Sequence, residues 1–104
     1  MGTPSIDPGS IVLSVNRGLW GEVSSRVRSV QVEFDPSEIH VFLYFDGPII
    51  ELDREAASVV GTSVAADFPS HGVSEHCLQC DPPQRIIVPG GRLLVFLRKE
   101  SVSS

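Results

Sequence analysis

The chain has 104 residues, thirteen acids against eight bases for a formal charge of −5, and an apolar fraction of 41%. That length makes one domain able to bury about 65% of its unfolded surface without staples, and the apolar fraction excludes wholesale disorder. The acidic balance argues against general nucleic-acid binding, which needs phosphate-neutralising Lys and Arg. The absence of a ~20-residue apolar run or a charged-then-apolar leader makes a cytoplasmic, membrane-free protein the expectation.

Residues 1–9 mix Gly, Pro, Thr, Ser and Asp without a period and read as a flexible lead-in; residues 10–100 read as the domain and 101–104 as a flexible tail. Ser10 is placed to cap a helix from about Ile11, with Val12, Val15, Leu19, Trp20 and Val23 as an imperfect apolar stripe. Gly18, Gly21 and two β-branched valines weaken it, leaving an edge strand over Ile11 to Val15 as the alternative. Trp20 is expected as a core anchor in either case.

Val30, Val32 and Phe34 alternate with Gln31 and Glu33 at the two-residue period of a strand. Asp35-Pro36-Ser37-Glu38 supplies a turn, since Pro36 has a fixed φ and no amide to donate, while Asp35 and Ser37 can bond nearby backbone. Closing the hairpin there puts Phe34 opposite Ile39, Val32 opposite Val41 and Val30 opposite Leu43 on one apolar face. The reverse face then pairs Glu33 with His40, Gln31 with Phe42 and Ser29 with Tyr44. Rings left in water at Phe42 and Tyr44 forgo about 1.5–3 kcal/mol of burial each, so either the C-terminal strand or a loop covers them, or a partner surface does.

Asp46-Gly47-Pro48 ends the second strand, and a helix is predicted from about Glu51 to Asp67. Its apolar side is expected to be Leu52, Ala56, Val59, Val60 and Ala66, with Glu51, Arg54 and Glu55 outward. Ile50 offers no cap and Gly61 weakens the middle, so packing must hold it. A third strand is expected over about Val73 to Cys80, a loop through Asp81-Pro82-Pro83 and Pro89-Gly90-Gly91, and a last strand over Arg92 to Arg98. In that strand Leu93, Val95 and Leu97 are expected on one face and Leu94 and Phe96 on the other, both apolar, as in a central strand or one with a partnered outer side.

The fold class is therefore α+β in the order αββαββ: a mostly antiparallel four-stranded sheet with two helices on one face. Phe42, Tyr44, Phe96 and Leu94 would stand on the open face, ringed by Glu33, His40 and Gln31.

No catalytic constellation is apparent. His40 and Glu33 have no serine or cysteine poised beside them, and Pro89-Gly90-Gly91-Arg92 lacks the Lys-Ser/Thr and following helix of a phosphate loop. The set His71, His76, Cys77 and Cys80 has zinc or redox ligand types, but residues three apart on a strand face opposite ways and no second Cys-x-x-Cys exists. Small buried thiols are the expectation, with no metal and no cofactor. A zinc- or redox-dependent protein and a homodimer closed over the open face are the alternatives to a protein-binding module.

Four segments carry a resemblance: Arg17-Gly18-Leu19-Trp20-Gly21-Glu22-Val23, Tyr44-Phe45-Asp46-Gly47, Asp53-Arg54-Glu55 through Ala66-Asp67-Phe68-Pro69, and Leu97-Arg98-Lys99-Glu100. Across most of residues 11–100 the chain resembles small acidic bacterial immunity proteins of colicin-like and contact-dependent growth-inhibition toxin systems. Pro48, Ile49 and Ile50 depart from the acid-rich helix start of similar proteins. The resemblance implies no catalytic residues. It implies stoichiometric binding of a basic toxin domain, with Phe42, Tyr44 and Phe96 as anchors and Glu33, Glu51 and Glu55 steering approach.

Overall fold

The computed structural model describes residues 7–100. The elements are α1 (Pro8–Leu19), β1 (Val27–Phe34), β2 (Glu38–Phe45), α2 (Glu51–Asp67), β3 (Gly72–Gln79) and β4 (Leu93–Leu97). Of the expected lead-in over residues 1–9, residues 1–6 lie outside the described residues, as does the tail over 101–104, while Pro8 and Gly9 already belong to α1.

The first helix starts earlier than Ser10, because Pro8 already has the φ of a first helical turn and Asp7 takes the extended backbone before it. Ser10 donates to the Asp7 carboxylate instead of capping. The helix ends at Leu19, where Trp20 leaves helical geometry and Gly21 takes φ +79°.

β1 and β2 pair antiparallel in the predicted register, from Phe34↔Ile39 to Ser29↔Tyr44. The turn is set by Asp35, whose carboxylate accepts from the amides of Ser37 and Glu38, each at 2.8 Å. α2 spans the predicted residues. Its missing cap is replaced at the third helical position: the buried Asp53 carboxylate accepts from the Ile50 amide at 3.0 Å and pairs with Arg26, which also donates to the Pro48 carbonyl.

That ion pair turns the helix. Its buried side is Asp53, Ala57, Val60, Gly61 and Val64, so Leu52, Val59 and Ala66 face solvent instead of the core as expected. α1 lies along it, with Ser14 and Arg17 both donating to Asp67 and Gly18 against Val60 and Ser63.

The sheet order is β3-β2-β1-β4. β1 pairs antiparallel with both its neighbours, but β2 and β3 run parallel, because α2 carries the chain back to the starting end before β3 begins. The last strand is thus an edge and not a central strand. Both helices cover one face, where Ile11, Val15, Val30, Val32, Ile39, Val41, Leu43, Phe45, Val60 and Val64 form the core.

A β-bulge at Val95 overturns the expected faces of β4: Val30 pairs with Phe96, and Gln31 with Leu94. Phe96 therefore packs with the core under the helices, while Leu94 and Leu97 share the outer face.

Candidate functional site

The sheet face opposite the helices is not bare. From the end of β3 at one edge, residues 80–92 cross it to reach β4 at the other. Three polar side chains hold this segment. The Arg28 side chain is buried and donates to the carbonyls of Cys80 at 2.7 Å and Gln84 at 2.8 Å, and grips Glu100 through two nitrogens at 2.7 and 2.8 Å. Gln31, fully buried, donates to the Ile87 carbonyl at 3.0 Å. Arg92 donates to the Tyr44 hydroxyl at 2.7 Å and lies 3.6 Å over the Phe42 ring.

The two rings expected on an open face are thus half-buried and engaged within the monomer. Phe42 also stacks on His76 at 4.8 Å between centroids, and His76 Nε2 meets His40 Nδ1 at 3.1 Å. Glu33 remains exposed beside His40. Glu51 and Glu55 are exposed as well, but on α2, in the opposite layer. The expected binding residues therefore divide among three places: Phe42, Tyr44, Glu33 and His40 on the crossed face, Phe96 half-buried against the core, and Glu51 and Glu55 on the helix layer.

The electrostatics concentrate at Glu100. Hydrogen bonds from Arg28 and Arg98 hold its carboxyl down from 4.5 to about 2, and Glu100 in turn raises Arg28. Arg98 also reaches Asp46 and the Ser25 carbonyl. Together Arg28, Arg85, Arg98, Glu100, Ile86 and Leu97 border an open groove of about 450 Å³.

The cysteines separate as strand geometry requires. Cys77 pairs in register with Leu43 on the helix side, where burial, with Asp53 and Glu75, pushes its thiol up against the pull of Arg54. His76 points to the other face, Cys80 lies beyond the strand against Arg28, and His71 sits edge-on to Phe68. Among the described residues no three His, Cys, Asp or Glu side chains gather to hold a metal. Nor, among these residues, is any helix long and apolar enough to cross a membrane.

The model of the MafI2 immunity proteins matches residues 8–100, which span every helix and strand described above. The chain belongs to the MafI2 immunity protein family. No curated protein matches it. The immunity class agrees with the resemblance drawn from Arg17 to Val23 and the other three segments, but MafI2 is a different group from the colicin-like and contact-dependent systems named there.

For a MafI2 family member, the residue that sequence reasoning misplaced most is Trp20. It is 82% exposed and not a core anchor. The signal was present: Gly21, two residues past Leu19 and at positive φ, stops the helix short of Trp20 and takes it out of the buried stripe. Arg92 was also missed, since nothing local marks an arginine whose partners lie more than forty residues away.

Proposed function

We propose that this protein neutralises a bacterial toxin by binding it stoichiometrically, without catalysis, and that the toxin domain it meets is basic. The family match over residues 8–100 carries this reading. The formal charge of −5 supports the sign of the partner, as do Glu33, Glu51 and Glu55, which are exposed and outside every ion pair among the described residues. Such charges raise the rate of encounter more than the final affinity.

The test is co-expression with the toxin domain encoded beside the gene. Growth is restored and the two chains co-purify as a one-to-one complex by light scattering. Association slows steeply as salt rises, because exposed charges are screened within about 8 Å at physiological ionic strength. Rescue without a complex, or no rescue at all, removes the proposal.

A further inference from the structure

The helix layer carries a surface that the packing leaves unused. Gly18 sits against Val60 and Ser63, and Arg26 bonds Asp53 and Pro48. The chain between Gly18 and Arg26 therefore runs alongside α2 from its middle to its start, carrying Trp20, Glu22 and Val23. At 100° per residue, Leu52, Ala56 and Val59 fall on the same flank of α2 as Val60, Ser63 and Asp67, the positions that meet α1. They stand on its solvent side. Leu52 is 69% exposed, Val59 49% and Ile50 46%, and Val23 is exposed as well.

Single exposed aliphatics need no explanation. A tryptophan on the same layer as Leu52, Val59 and Val23 does. The rim is acidic on balance: Glu22, Glu51 and Glu55 enter no ion pair among the described residues, while of the bases on this layer Arg17 and Arg26 are occupied by Asp67 and Asp53, leaving Arg54 exposed beside Glu51 on α2. The crossed face differs: exposed Ile87, Leu94 and Leu97 lie on the side of the groove whose arginines Arg28 and Arg98 are themselves paired with Glu100 and Asp46.

We infer that the toxin docks on the seam between Trp20–Val23 and the outer flank of α2, and that its matching surface is an apolar pocket for the indole bordered by Lys or Arg. This rests on the toxin-binding reading above. Trp20 is the anchor; Leu52 and Val59 complete the apolar floor; Glu22, Glu51 and Glu55 meet the basic border.

Trp20 is the chain's single tryptophan, so fluorine-labelled tryptophan gives one resonance from this surface. That resonance shifts on addition of the unlabelled toxin domain encoded beside the gene. Trp20→Ala weakens calorimetric binding about 30-fold or more, and its circular dichroism and thermal midpoint stay at wild-type values because the ring supports nothing in the fold. Leu94→Ser, on the crossed face, keeps affinity within about twofold. If wild type binds while the resonance stays put, or Trp20→Ala binds as wild type does, the seam is overturned and toxin binding stands. If wild type shows no binding, the toxin-binding reading falls and takes the seam with it.

Discussion

The two faces of the sheet are held by different physics. Under the helices the contacts are aliphatic and closely fitted, with Ile11, Val15, Val30, Val32, Ile39, Val41, Val60 and Val64 all fully buried. On the crossed face a segment without regular structure is fastened by Arg28, Gln31 and Arg92, three side chains that reach carbonyls, a phenol and a carboxylate. Apolar burial scales with area and resists small shifts, whereas directional bonds to an irregular segment hold or fail one at a time. The helix side therefore sets global stability, and the crossed side unfastens locally before the domain unfolds.

The largest effect is expected on the first side. Phe45→Ala empties a fully buried site at the end of β2 and costs about 3–5 kcal/mol, read as a shift of the denaturant midpoint at unchanged slope. Amide protection falls across the whole sheet together; loss confined to β2 would break the contrast. Arg28→Ala comes next, at about 2 kcal/mol, since Glu100 and two carbonyls lose their donor in a partly solvated setting. Hydrogen exchange then accelerates in residues 80–92 ahead of the core strands. Equal acceleration everywhere would show that the crossing segment and the core form one cooperative unit.

The smallest effect is set by pH. Glu100 is held at about 2 against its ordinary 4.5, so its contribution is complete above 4.5 and is lost as pH falls toward 2. Asp35, whose carboxyl is also lowered, by the amides of Ser37 and Glu38, loosens the hairpin turn as pH falls below its ordinary 3.8. Exchange in residues 80–92 is expected to rise as acid is added, after correction for intrinsic rates. In Glu100→Gln it starts higher and stays flat, while the Asp35 turn still responds.

What the sequence revealed follows the same division. The hairpin register was readable because Asp35-Pro36-Ser37-Glu38 fixes the turn and the period of two does the rest. The extent of α2 was readable from its flanking Pro48 and Pro69. Its buried side was not, because the apolar residues Leu52 and Val59 outvote Asp53 in any periodic count, and only Arg26, twenty-seven residues away, makes Asp53 an inward residue. The face of Phe96 depended on one bulged residue, Val95, in a strand apolar on both sides. The proposed seam was hidden for a related reason: a tryptophan in an apolar stripe reads as core until the helix is known to stop before it.

The arrangement of β1 between β2 and β4 has a kinetic consequence. Its contact with β2 closes across a four-residue turn, whereas its other edge must wait for Leu97 to find Ser29, sixty-eight positions along the chain. Long loops close late, so the hairpin is expected to form while the second edge of β1 still lacks its ladder. Such an edge accepts strands from other molecules, and dilute refolding should outperform concentrated refolding for that reason.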